Sequence, residues 1–456
     1  MGVTAYAAPL RDTAFRRYWK AVTGSAAGDG VLSVAVPLAA ALLLGADPAQ
    51  MGLLTALAWI PSVLFAIPAG GWVARFRHQL TPMIGADLVR CAATALVPIG
   101  ALLGMLNLPI LYAITVVVAT ASVVFTVTDA ALLPALLPED RLVAGQSVVY
   151  GARTVASMIG SGVGGLLVPL VSAPITAAAG AASFLWSATL LSRTACPGSL
   201  AVPRRAAPIS AAGLRFIVST PVLRGALGVT TTTNFFKLMF HALLVLFLTR
   251  TLHLPAGTTG LVLGAEAAGA LAGSVITPAV TQRLGMRRSL MVGSLLSATP
   301  LTAVPAATGP ETTVAAVLVV ASLLSGLGRS LQDISVATTF MTAVPVPLRS
   351  QVRGAYQTVS FGVRPIGAVL GGFAGQHLGL RAAIGIAVAG GLLAFLWALP
   401  SGPARYVGRH HQAHRLGRVQ SGLSPRRTGR RVRRPVRHPV RAGLSGSGQH
   451  RAARDR

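Results

Sequence analysis

Twelve apolar runs, each long enough to cross a bilayer, dominate this chain. They lie near 20–44, 50–73, 82–105, 108–130, 143–169 and 172–192, then 223–249, 257–281, 288–308, 312–336, 351–376 and 380–399. About 20 helical residues span the roughly 30 Å of hydrocarbon. With no water inside the membrane, a spanning segment must satisfy its own backbone polar groups, so each run is expected to be an α-helix. Composition agrees. Only 11% of the 456 residues are charged and mean hydropathy is +0.66, whereas soluble domains carry about 25% charged residues. The first run is long, contains Asp29 and precedes eleven others, unlike a signal peptide.

Several function classes are excluded at once. Lysine occurs only as Lys20 and Lys237. Neither follows a P-loop pattern, whose lysine must reach nucleotide phosphates. Two cysteines, Cys91 and Cys196, give no disulfide framework or Cys-rich metal site. No H-E-x-x-H is present. No enzymatic activity, cofactor or metal is expected.

Charge placement sets an orientation, because Lys and Arg stay on the cytoplasmic side. With the N-terminus inside, cytoplasmic segments carry seventeen bases, among them Arg75, Arg77, Arg283, Arg287 and Arg288. The outer loops carry Arg250 and Arg381. Twelve spans place both termini in the cytoplasm, and the expected location is the cell membrane. Residues 400–456 hold 15 Arg and one acid, Asp455, half of the net +28. This stretch has no apolar periodicity and is expected to be a disordered cytoplasmic tail. Adhesion to anionic lipid head groups and a tail with no selected role are both open readings of it. It lacks the interleaved aromatics of a nucleic-acid binder.

The spans divide six and six around the polar break 193–222, giving an N-terminal bundle, 1–192, and a C-terminal bundle, 223–399. One offset relates them. Arg75 corresponds to Arg283, Asp129 to Asp333, and Gly164–Gly165 to Gly371–Gly372, at 208, 204 and 207 positions. Arg153 and Arg364 precede those glycines by similar distances. The pattern predicts two six-helix bundles in parallel, pseudo-twofold repeat, as in transporters that alternate access between two bundles.

The motifs at these landmarks resemble those of the major facilitator superfamily, in particular its bacterial drug:proton antiporter branch with macrolide and siderophore exporters. The loop after span two, IPAGGWVARFRHQLTPMIGADLVR, is similar to G-x-x-x-D-R-x-G-R-R followed by an acid-x-x-Arg pair. Gly70, Arg75, Arg77, Asp87 and Arg90 fit, while Ala74 replaces the motif's acid. TQRLGMRRSL in the second half keeps Arg283, with Gln282 at the position of an acid. Span five, RTVASMIGSGVGGLL, is similar to the antiporter motif G-x-x-x-G-P-x-x-G-G, with Ser161 for proline. The resemblance covers residues 10–400. It implies the major facilitator fold, an all-α integral membrane protein, and export of a small amphiphilic molecule. A facilitator, a siderophore or lipid carrier, and a non-transporting scaffold or sensor remain open readings of the same pattern.

Ionisable groups within spans are functional candidates, because a charge in hydrocarbon is costly. Asp87, Arg90, Asp129, Arg153, Arg329, Asp333 and Arg364 read as gating or structural pairs, with Arg75 and Arg283 completing the charge network. Arg329 and Asp333, four apart, share a helix face. Asp29 and Glu266 differ. Each lies near mid-span with no basic residue three or four positions away, so both are expected to be unpaired carboxyls suited to proton coupling. Lys237 is a plausible partner. It shares a face with His241 and lies one turn past Asn234 and Thr233.

Gly160, Gly164, Gly165, Gly371 and Gly372 read as close-packing positions, since small residues let helix backbones approach. Trp59 and Phe361 are among the aromatics that can line a cavity. The expected partners are a small-molecule substrate, protons and membrane lipids, and a monomer is expected.

Overall fold

The computed structural model describes residues 12–73, 75–76, 80–137, 141–194, 211–345 and 348–399. The first six long helices are α1 (Thr13–Leu38), α2 (Pro48–Val73), α3 (Leu80–Leu102), α4 (Leu108–Leu136), α5 (Leu142–Val171) and α6 (Ala173–Ser192). A short α7 (Ala211–Ser219) lies within the break expected to be a plain linker. The second set is α8 (Pro221–Leu246), α9 (Ala256–Leu284), α10 (Met286–Ala298) with the single turn α11 (Ala303–Ala306), α12 (Glu311–Ala343), α13 (Arg349–Leu378) and α14 (Leu380–Leu392). The chain divides into residues 1–402 and 403–456. The Arg-rich stretch lies outside the described residues, as do Ala74 and Arg77 of the first loop motif.

Each expected span coincides with a helix. Among the described residues, eleven are long and apolar enough to cross a membrane. The exception is the eleventh, α13. At 30 residues it is long enough, but Arg353, Gln357 and Arg364 make it too polar for that test. Several helices outrun their apolar segments. α4 continues seven residues past Asp129, and α12 ten past Asp333. Hydropathy marks hydrocarbon, whereas the backbone goes on forming hydrogen bonds until a cap or proline stops it.

Local chemistry fixes the ends. Asp12 caps α1, its Oδ1 accepting from the amides of Ala14 at 2.7 Å and Phe15 at 3.0 Å. Asp47 and Gln50 cap α2 reciprocally, side chain to backbone, at 2.8 Å each way. Asn107 accepts from the Ile110 amide at 3.0 Å to start α4.

Helix ends define two faces of the bundle. The near end holds the start of α1 and the end of α6, where Arg17 donates to the Arg193 carbonyl. The far end holds the ends of α1 and α8, where Arg250 donates to the Ala41 carbonyl at 3.2 Å.

The repeat is written in the backbone. α1 and α8 each finish in a π-helical turn, Ala39–Leu43 and Phe247–Thr251. Gly45 and His253, in the turns that follow, both have positive φ. The α5–α6 turn places Ser172 at φ 81°, ψ 158°, and the α13–α14 turn places Gly379 at φ 83°, ψ 155°. Each pair is 207 or 208 positions apart.

Within the first half, α1 packs against α5 and α6, and α3 against α4 and α6. The halves meet where α2 lies on α13 and α5 on α9. Glycines permit both approaches. A Cβ on Gly52 would lie 2.7 Å from the Cα of Gly372, and Gly165 and Gly260 meet in the same way. Gly160 lies against Ala27 of α1, Gly164 against Val31, and Gly371 against Met239 of α8. Both glycine pairs of the seam belong to the far end. Towards the near end, a Cβ on Gly151 of α5, or on Gly354 or Gly362 of α13, would meet open space. Among the described residues the buried clusters at the near end each draw on one half alone, whereas two others, at mid-span and the far end, join both, so the cleft between the halves opens at the near end.

Candidate transport site

In the first half, Arg90 of α3 organises the charges. It lies about halfway along its helix. It is 1% exposed and pairs with Asp29 of α1 and with Asp87, 3.0 Å away. Ser25 accepts from the Arg90 Nη1 at 2.8 Å and donates to Asp87 at 3.2 Å. The guanidinium carbon sits 3.8 Å from the Phe184 ring centroid. Burial of an ion is tolerated when its charge is compensated, and here two carboxylates, a hydroxyl and an aromatic face surround the guanidinium, leaving only Nε without a hydrogen-bond partner. Asp87 is fully buried, whereas the Asp29 side chain is 48% exposed. An ionised carboxylate against lipid is costly, so Asp29 forms the open edge of this cluster.

A second pair joins three helices. Asp129 of α4 accepts from the Arg153 Nη1 of α5 at 2.6 Å and from the Tyr18 hydroxyl of α1 at 2.5 Å. Tyr18 has no side-chain exposure and was not among the candidates. A buried phenol needs a partner, which was its one available signal.

In the second half, Lys237 and His241 stand one turn apart on α8. Both reach Glu266 of α9, Lys237 at Oε1 and His241 Nε2 at Oε2, 3.1 Å away. All three are between 23% and 29% exposed. Beside them, Arg329 of α12 pairs with Asp333 at 3.0 Å and donates to Asn234 Oδ1 at 3.0 Å. Arg364 of α13 donates to the same oxygen at 3.3 Å. Asn234 Nδ2 donates to the Ser360 carbonyl at 2.9 Å, which holds Oδ1 towards the two arginines. The Arg364 guanidinium lies 4.1 Å from the Trp59 ring centroid of α2 and 4.2 Å from that of Phe361. A cavity of about 40 Å³ between α8, α10, α12 and α14 is lined by Thr233, Lys237, Ser325 and Arg329, among others. It has room for a few waters at most.

These contacts correct the expectation that Asp29 and Glu266 are unpaired. Each has a basic partner on another helix, which spacing along one helix does not reveal. The expected charge network is three separate groups, around Arg90, Asp129 and Arg329. Arg75 and Arg283 are exposed near turns and have no carboxylate partner among the described residues. Arg364, expected to repeat Arg153, is not paired with Asp333; it leans on the rings of both halves instead.

Two pseudo-repeated bundles of membrane-crossing helices, with charges clustered within the helices beside a cleft between them, define a multi-pass transporter of the major facilitator type. A family model described as transmembrane secretion effector matches residues 4–414, and the chain belongs to that family. No curated protein sequence matches it. Among solved structures, the nucleoside transporter NupG is similar at a TM-score of 0.69 and 10% identity, over 86% of this chain and 100% of that one. A bacterial homologue of the iron transporter ferroportin, inward-facing, gives 0.65 and 16% over 88% and 99%. A bacterial homologue of the human lysosomal transporter Spinster gives 0.63 and 15% over 86% and 96%. At these identities the likeness shows the fold.

Proposed function

We propose that this protein exports a small amphiphilic molecule across the cell membrane in exchange for protons, with both termini in the cytoplasm. The observation that carries this reading is the Glu266 carboxylate held between Lys237 and His241. A proton arriving on Glu266 removes the charge that binds Lys237, and the released ammonium needs a new partner or water. The two states of the carboxyl therefore favour different packings of α8 against α9. A ligand shifts such an equilibrium only by its different affinity for the two states, and a proton at Glu266 meets that condition. Asp29, open on one edge and bound to Arg90 on the other, is a second carboxyl of the same kind. The family description supports outward movement. The cleft open at the near end supports loading from the side that holds the start of α1.

The test is accumulation of amphiphilic compounds in a pump-deficient host with and without the protein. Lower accumulation that is restored by an uncoupler is expected. Lower accumulation insensitive to the uncoupler contradicts proton coupling, and unchanged accumulation of every compound contradicts export.

A further inference from the structure

Two guanidinium groups converge at the seam between the halves without enough negative charge to satisfy them. Arg329 and Arg364 share one neutral acceptor, Asn234 Oδ1, at 3.0 and 3.3 Å. Their terminal nitrogens are therefore no more than about 6 Å apart, a distance at which like charges in low dielectric repel appreciably. Asp333 is the single carboxylate ion-paired to either among the described residues, and its side chain is 51% exposed. Each guanidinium also keeps a buried nitrogen with no hydrogen-bond partner, Nη1 of Arg329 and Nε of Arg364. Arg90 Nε lacks a partner as well, so the difference from the other charged clusters is one of charge. Arg90 has two carboxylates, and Arg153 and Lys237 have one each. Arg364 has rings on its faces instead, Trp59 from the first half and Phe361 from the second. Stacking covers the faces of a guanidinium and leaves its N–H edge for an acceptor.

From this geometry we propose that Arg329 and Arg364 form an oxyanion site, and that the transported molecule is an organic anion. Its carboxylate or phosphate lies between the two guanidinium groups, and its flat apolar body rests on Trp59 and Phe361. An anion there supplies the missing charge and takes up the orphaned N–H groups, since charge-assisted bonds to guanidinium are strong and bidentate. It also touches both bundles at once, so it is held differently once the seam opens. Asp333 acts as the resident anion that the substrate displaces in part from Arg329. This assignment rests on the transport reading for the fate of the ligand, but not for its binding.

The experiment is calorimetric titration of the full-length protein in nanodiscs. The probes are 1-naphthoate and 1-naphthyl phosphate, with 1-naphthamide as the neutral match and 1-naphthylmethylammonium as the cationic one. The anions are expected to bind at least about tenfold tighter than the amide, the worth of one charged hydrogen bond. Arg364→Gln is expected to abolish that preference. Arg364→Lys, which keeps the charge and loses the fork and the stacking, is expected to leave part of it. Equal binding of anion and amide by the wild type, or a preference that survives both substitutions, overturns the site. Anion binding through Arg364 with no gradient-driven flux contradicts transport and leaves the site standing. Flux of neutral or cationic compounds with no anion preference does the reverse.

Discussion

Gly52 of α2 and Gly372 of α13 touch backbone to backbone across the seam between the halves, and Gly165 and Gly260 repeat that contact between α5 and α9. The two contacts are the same feature in the two halves, related by the 207–208 offset. Together they close the far end, whereas the buried clusters at the near end do not join the halves. Any state open at the far end must separate both pairs.

A side chain at this seam should therefore bias the equilibrium. Gly260→Val inserts three carbons where backbone already touches backbone, and overpacking of this kind costs about 1–3 kcal/mol. The closed far end bears that cost. Spin labels at Leu44 and Leu252, in the two repeat-related far-end turns, should show a longer-distance population in the variant. An unchanged distance distribution contradicts the role of the seam.

Arg90 is the charge on which the first half depends. Arg90→Met leaves Asp87 buried without its cation, and removing one partner of a buried pair costs about 3–5 kcal/mol. Unfolding in detergent should show a loss of that size, with much of it regained in Arg90→Met/Asp87→Leu. A loss below about 1 kcal/mol, the worth of an exposed pair, shows that the cluster is not structural.

Ser172 adopts a conformation that its repeat partner achieves with Gly379. Backbone of this kind, positive φ with extended ψ, is essentially a glycine region and costs other residues about 1–3 kcal/mol. Ser172→Gly should stabilise the protein by about 1 kcal/mol, part of the strain being offset by a more flexible unfolded chain. Denaturant unfolding checks this, and a destabilised variant contradicts it.

The spans were legible because hydrocarbon demands unbroken apolar length, and the halves were legible because Asp129, Asp333 and the paired glycines keep one offset. Helix ends were less so, since the last turns of α4 and α12 lie beyond their apolar segments. The partners of the charges were hidden for a different reason. Arg90 meets Asp29 across 61 positions because α1 and α3 pack into one bundle, and no local pattern encodes that. Arg329 and Asp333 were legible through their four-residue spacing. Lys237 and Glu266 were within reach of inference because few cations lie in mid-span. Trp59 stood out only as an aromatic residue, and its place on Arg364 depends on how the two halves meet.

Proton coupling through Glu266 is the proposal on which the transport reading turns. Its most direct measurement uses proteoliposomes with an imposed pH gradient and a compound selected in the pump-deficient host. Accumulation is followed for the wild type and for Glu266→Gln. Gradient-driven accumulation is expected of the wild type. In Glu266→Gln, loss of that accumulation is expected while exchange of labelled for unlabelled compound continues, because the variant still binds substrate and still alternates. Full gradient-driven accumulation by Glu266→Gln would contradict coupling through this carboxyl.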